Sequence, residues 1–299
     1  MSSIPALLKA LQEGDKRALA RAITLVENSE EGYEELLTRL NFPKAVPVIG
    51  ITGPPGAGKS TLISMLIKSW IEDGKSVGVV AVDPTSPFTS GSLLGDRLRM
   101  VEHFTSDQVF IRSLATRGAL GGLSAKSIEI TDVMRAFGFD IIILETVGVG
   151  QSEVEIAGLA DLCILVLVPE AGDEVQTLKS GIMEIADIFV VNKSDRDGAD
   201  IFVKNLLGLV ESRHALDTPV IKTSATRAEG IDILKEAISR LYGKKNKDKA
   251  KKLLFQKAYR LISESRMKDV SIQSLEANLT LEMNKEDFNL YRFVNGYLH

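Results

Sequence analysis

The stretch ITGPPGAGKSTLI, residues 51–63, constrains the fold more than any other part of the chain. Gly53, Pro54, Pro55, Gly56 and Gly58 crowd its first half, and both residue types disfavour helix and strand interiors. Yet strand-like Val46, Val48, Ile49 and Ile51 precede it, and Leu62, Ile63, Met65, Leu66 and Ile67 follow in an apolar helical pattern. A simple connection needs fewer such residues. Strand, G-x-x-x-x-G-K-S/T loop and helix together form the arrangement that wraps backbone N–H groups around phosphates. Gly53, Pro55, Gly56, Ala57 and Gly58 would line that wrap. The helix starting near Lys59 adds its positive end through Lys59, Ser60 and Thr61. The Lys59 ammonium would reach the β- and γ-phosphates. The Ser60 hydroxyl suits Mg²⁺, which takes few protein ligands and keeps water and phosphate oxygens.

Further along, short runs rich in Val and Ile alternate with helical patterns: VPVIGIT, SVGVVAVD, FDIIILE, DLCILVLV, ADIFVVNK and TPVIKTSA. Near-continuous apolar runs are how strands buried on both faces read. With helices between them they predict an α/β fold, a doubly wound and mostly parallel sheet of the P-loop NTPase (G domain) kind. Helical extensions flank it. Residues 1–44 carry Leu7, Leu8, Leu11, Leu19, Ile23 and Val26 at helical spacing, broken at Gly14-Asp15, with Asp15 as N-cap. A further helical turn covers 33–40, and Pro43 and Pro47 end the extension. The nucleotide-binding domain is expected over 45–242, closed by a helix at 231–242. A helical arm is expected over 243–299, with helices at 253–265 and 285–297 behind a polar, basic start.

The strand ends carry the remaining chemistry, because ligands of such sheets bind beyond the carboxyl ends of the strands. ADIFVVNKSD ends in Asn192, Lys193, Ser194 and Asp195, the N-K-x-D pattern of GTP-binding proteins. A carboxylate at Asp195 accepts from the ring N–H and the exocyclic amine of guanine, a donor pair that adenine lacks. Sites built on such pairs discriminate by about 10⁴ or more. Lys193 would lie along the base plane, and Ser224 and Ala225 would reach the base after the next strand. FDIIILETVGVGQSE places Glu145 at a strand end and Gly148 three residues on, like a D-x-x-G switch with Glu for Asp. Asp83 stands at another strand end and Asp96 follows it. Lys59, Asp96 and Glu145 are the candidate catalytic groups. The position after the switch glycine is Val149, with glutamine only at Gln151. Ras-like proteins orient the attacking water with a glutamine directly after that glycine, so hydrolysis is expected to be slow without a partner. Arg97, Arg99 and Arg117 are further candidates for transition-state charge.

The strings VDPTSPFTSGSLLGDRLRM, FIRSLATRGALGGLS, ETVGVGQSE, GDEVQTLKSGIMEIAD and VVNKSD closely resemble the MeaB/ArgK/MMAA family of P-loop GTPases. The resemblance covers roughly 45–230. It implies a chaperone for an adenosylcobalamin-dependent acyl-CoA mutase, by default methylmalonyl-CoA mutase. It implies GTP/GDP and Mg²⁺ as bound species, with Ser60, Asp83, Asp96 and Glu145 around the metal. It implies a mobile segment at GDEVQTLKSG that couples nucleotide state to the mutase, with Gln176 and Lys179 as contacts. It also implies a homodimer through the C-terminal arm, which is short here. Some family labels speak of transport ATPases or kinases; the NKSD pattern speaks against ATP.

Composition narrows the alternatives. The chain has 299 residues, 44% of them hydrophobic, and a net charge of −4. That charge argues against nonspecific nucleic-acid binding as the main role. The longest apolar runs are strand-sized, short of the ~20 residues that a membrane-spanning helix needs, so no membrane role is expected. One cysteine, Cys163, excludes a disulfide framework within the chain and fits a reducing cytoplasm; within LCILVLV it reads as a small buried hydrophobe. A nickel-enzyme metallochaperone is an alternative from a related branch, but His103, His214 and His299 are scattered. A nucleotide-dependent regulatory module is the other alternative.

Overall fold

The computed structural model describes residues 3–83, 100, 103, 105–115, 126–146, 156–171, 182–213, 218–243, 247–267, 270–283, 285 and 289–297. The chain divides into two compact units, Met1–Lys247 and Asp248–His299.

The first unit is built on a seven-stranded sheet. Its strands are β1 (Val48–Thr52), β2 (Val77–Asp83), β3 (Val109–Ala115), β4 (Ile141–Glu145), β5 (Leu162–Leu167), β6 (Ile188–Val191) and β7 (Val220–Lys222). They lie in the order β3-β2-β4-β1-β5-β6-β7, and every adjacent pair is parallel. Parallel pairing puts all the carboxyl ends on one edge. The direction of winding reverses at β1, which lies between β4 and β5; a crevice opens at such a point.

Helices cover both faces, which is why the strands are apolar at nearly every position. On one face Ile49, Ile51, Ile143, Ile164 and Val190 pack against α4 (Lys59–Glu72), and Ile231, Leu234 and Ile238 of a later helix, Ile231–Gly243, join the same core. On the other, Val48, Val80, Val82, Ile142 and Leu144 meet α5 (Ser127–Phe137) and the N-terminal helices α1 (Ile4–Gln12), α2 (Lys16–Glu27) and α3 (Tyr33–Thr38). A third cluster packs Leu165, Leu167, Phe189 and Val191 against α6 (Ile182–Ile185) and α7 (Ala199–Arg213). The helix Ile231–Gly243 is α8. Cys163 is buried in this framework.

The N-terminal helices therefore share a core with the sheet. Asp15 caps α2, accepting from Arg17 N (2.7 Å) and Ala18 N (3.4 Å). Lys16 Nζ donates to the carbonyls of Ser106 (2.9 Å) and Val109 (3.0 Å) at the entry to β3. β3 is absent from the runs picked out by hydropathy. Arg112 and Ser113 interrupt its apolar pattern, but Arg112 is charge-paired with Glu27 of α2, so the edge strand tolerates it.

The second unit holds α9 (Lys247–Arg266) from its second residue on, with α10 (Ile272–Glu282) and α11 (Leu290–Asn295). Helix α9 begins inside the basic segment, and α10 is an element that the sequence reading passed over. Ser271 caps α10, its Oγ accepting from Ser274 N at 3.3 Å. Among the described residues, no helix is long and apolar enough to cross a membrane.

Candidate nucleotide-binding site

The Gly-rich loop leaves β1 and enters α4 as the spacing predicts. Gly53, Gly56 and Gly58 adopt φ of 141°, 76° and 84°, a region that L side chains rarely enter. Two of these glycines also face tight approaches. A Cβ on Gly53 would stand 2.1 Å from the Val166 carbonyl oxygen, and one on Gly58 2.4 Å from Asn192 Nδ2. Gly58 is the N-cap residue of α4, and no side chain caps that helix. The first-turn amides of α4 are thus unclaimed by a capping side chain, as an anion-binding terminus requires. Ala57 is buried, Pro55 and Gly56 are exposed, and Thr61 is half-buried in the first turn.

Lys59 is 7% exposed, and its Nζ donates to the carbonyls of Gly53 (2.8 Å) and Pro54 (3.2 Å). The ammonium is therefore held over its own loop. Ser60 Oγ donates to Glu145 Oε1 at 2.7 Å across 85 residues of sequence, and both residues are buried. Glu145 closes β4, in register with Ile51 of β1. Beside them Thr146 and Thr52 pair through their hydroxyls at 3.0 Å, which ties the exit of β4 to the last residue before Gly53. Sequence reading did not find this pair. Nothing local in either segment announces a contact 94 residues apart.

Asn192 is 2% exposed and works as a clamp. Its Nδ2 donates to the Ala57 carbonyl (2.8 Å), and its Oδ1 accepts from Thr223 Oγ1 (3.1 Å) and Ala225 N (3.2 Å). Lys193, at φ 55°, donates from Nζ to the Gly56 carbonyl at 2.7 Å. The loop after β6 is thereby fastened to the Gly-rich loop and to the loop after β7. Asp195 Oδ1 accepts from Ser224 Oγ at 2.7 Å, and Arg227 lies 3.5 Å from Oδ2. The Ser224 hydrogen bond and one from backbone hold the Asp195 carboxyl below its ordinary range, with Arg227 and Arg196 adding to the effect. A charged acceptor is therefore presented at neutral pH. Glu170, just past β5, is lowered too, first by its hydrogen bond from Arg196. The predicted residues Lys59, Ser60 and Glu145 thus form one group, and Asn192, Lys193, Asp195, Ser224 and Ala225 a second, joined through Ala57 and Gly56.

Asp96, Gly148, Gln176 and Lys179 lie outside the described residues, as do Arg97, Arg99, Arg117, Val149, Gln151, His214 and His299. The backbone of Asp83 closes β2. His103 Nε2 lies 2.7 Å from Ser64 Oγ, one turn beyond Ser60 on α4. Among the described residues, no three His, Cys, Asp or Glu side chains gather to hold a metal ion.

Comparison with known proteins places these observations. The family model described as methylmalonyl-CoA mutase-associated GTPase MeaB matches residues 19–278. A protein of Pyrococcus horikoshii named as a GTPase is 50% identical over 246 residues, covering 80% of this chain and 77% of that protein. GTPase ArgK of Escherichia coli is 38% identical over 244 residues, covering 77% and 73%. The mouse protein named methylmalonic aciduria type A homolog, mitochondrial, is 39% identical over 250 residues, covering 75% and 60%. Among solved structures, one titled LAO/AO transport system kinase aligns over 98% of this chain and 95% of its own, with a TM-score of 0.67 at 24% identity; it supports the fold alone. The chain belongs to the MeaB family and is a GTPase.

Proposed function

We propose that this GTPase is the nucleotide-gated chaperone of an adenosylcobalamin-dependent acyl-CoA mutase. GTP binding and slow hydrolysis would gate cofactor loading onto methylmalonyl-CoA mutase or a close relative, and protect the loaded enzyme. The observation that carries the reading is the family match across residues 19–278. The clamp that joins the Gly-rich loop to the N-K-x-D loop through Asn192 supports the GTP part of it.

In the proposed bound state the loop amides and the α4 terminus hold the phosphates, and Lys59 exchanges its loop carbonyls for β- and γ-phosphate oxygens. Ser60 and Glu145 offer a hydroxyl and a carboxylate 2.7 Å apart. These are hard oxygen donors of the kind that Mg²⁺ takes in small number, so the residues fit the ion, with Asp83 and Asp96 proposed to complete the acids. The bound ion would supply charge neutralisation between the β- and γ-phosphates. Asp195 reads the guanine edge. Val149 in place of a water-orienting glutamine argues for slow intrinsic turnover. Ras-like GTPases lacking help run at about 10⁻⁴ s⁻¹ and gain about 10⁵-fold when assisted.

GTP can bias the mutase only by its difference in affinity for two conformations. We assign that difference to 83–99, 145–153 and 172–179, with Gln176 and Lys179 as mutase contacts. Residues 1–44, 45–242 and 243–299 would act as helical extension, nucleotide-binding domain and dimerisation arm. The arm reading is supported by exposed Leu254, Phe255, Tyr259 and Ile262 on α9. The reading carries a reducing cytoplasmic setting with it, in keeping with the lone cysteine. Pull-down from the native host with a nonhydrolysable GTP analogue tests the proposal. Recovery of a cobalamin mutase is expected; recovery of a hydrogenase or urease factor instead would overturn it.

A further inference from the structure

The loop after β7 is closed on itself. Ser224 N donates to Glu229 O and Glu229 N to Ser224 O, each at 3.1 Å. Arg227 N donates to Ser224 O at 3.0 Å, and Ala228 completes the turn at φ 59°. This fixes where the Arg227 backbone stands, and its guanidinium lies 3.5 Å from Asp195 Oδ2. Ser224 holds the other oxygen, Oδ1, at 2.7 Å. Arg196, next to Asp195 in sequence, is instead paired with Glu170.

The χ2 torsion of an aspartate is broad and roughly two-fold. One hydrogen bond therefore anchors a carboxylate without setting its twist, whereas a positive charge beside the other oxygen biases that twist. Each oxygen keeps a further acceptor site after that. Guanine presents its ring N–H and exocyclic amine in one plane, so the twist of the carboxylate decides whether both donors are met.

We propose that Arg227 is a specificity-determining positioning residue: its charge beside Asp195 Oδ2 biases the carboxylate plane toward two-point capture of the guanine edge. The inference rests on the reading of Asp195 as the guanine acceptor. It assigns to an exposed arginine a task that the N-K-x-D pattern does not contain.

The test is calorimetric titration of the full chain with GDP, IDP and ADP, for wild type, Arg227→Ala, Arg227→Lys and Asp195→Ala. IDP keeps the ring N–H and lacks the amine. The Arg227 side chain is 57% exposed, so its replacement leaves the core intact. Arg227→Ala is expected to weaken GDP about three- to fivefold, the scale of an exposed ion pair, and IDP much less, so the GDP/IDP ratio narrows. Arg227→Lys should restore part of the ratio. The difference should shrink at about 1 M salt, where the screening length is about 3 Å. Unchanged GDP affinity in Arg227→Ala overturns the inference, and so does an equal loss for GDP and IDP, which a general loosening of the loop would give. A wild type without preference for GDP over ADP, or an Asp195→Ala variant that keeps that preference, marks failure of the guanine reading itself and takes the inference with it.

Discussion

At the residue scale the site depends on atoms that side chains leave out as much as on those they supply. Gly58 passes under Asn192 so closely that a single methyl would displace the clamp amide, and its φ of 84° adds strain for any other residue. Gly58→Ala is expected to cost about 1–3 kcal/mol of stability and to abolish guanine nucleotide binding. Thermal melts with and without GDP check both parts: a wild-type GDP-induced rise in Tm is lost in the variant. Lys59 shows the same economy in a charged group. Burial of an ammonium is tolerated because two loop carbonyls receive it.

At the scale of elements, polar contacts at strand ends fix register that hydropathy leaves open. Asp140, just before β4, accepts from Ser76 N and Ser76 Oγ (both 2.8 Å) and from Lys44 Nζ (2.6 Å). Burial raises its pKa, but Lys44 and Ser76 outweigh that and lower it from 3.8 to about 2. A lowered carboxyl contributes stability above its ordinary pKa and loses it as pH falls through the folded value. The contribution is therefore complete above about pH 4 and fades toward pH 2. For so exposed a pair it amounts to about 1 kcal/mol. Asp140→Asn should flatten denaturant-measured stability across pH 4 to 2 relative to wild type; equal slopes would contradict the assignment. Helix α2 holds the edge strand in a similar way. Glu27→Gln leaves the Arg112 guanidinium, 27% exposed, without its charge partner. A loss of about 1–3 kcal/mol is expected, together with faster amide exchange in β3 than in β1.

At the scale of the whole molecule, the second unit exposes what the first one buries. Leu254, Phe255, Tyr259 and Ile262 are each more than 60% exposed and recur at i, i+1, i+5 and i+8 along α9. Such a stripe is what a partner helix would cover. If the arm pairs two chains, Phe255→Ser with Ile262→Ser should convert a dimer to a monomer in sedimentation at micromolar concentration while leaving GDP affinity unaffected. A wild type that sediments as a monomer would remove the proposed dimerisation role.

Much of this architecture was legible in one dimension. Six of the strands announced themselves because both faces of a parallel sheet are buried, which forces runs of Val and Ile. The Gly-rich loop was legible because close backbone approach admits only glycine at particular steps, and the N-K-x-D loop because its residue types stand together directly after an apolar strand. Strand β3 and helix α10 were not. β3 carries Arg112 and Ser113 within its run and is completed by α2 from far away in sequence, while α10 lies in the polar arm behind a serine cap. The contacts Thr52–Thr146, Ser224–Asp195 and Arg227–Asp195 were likewise hidden. Local backbone chemistry and burial leave a periodic trace along the chain; a hydrogen bond between residues tens of positions apart leaves none, and exists only once the parallel strands have brought their carboxyl ends to one edge.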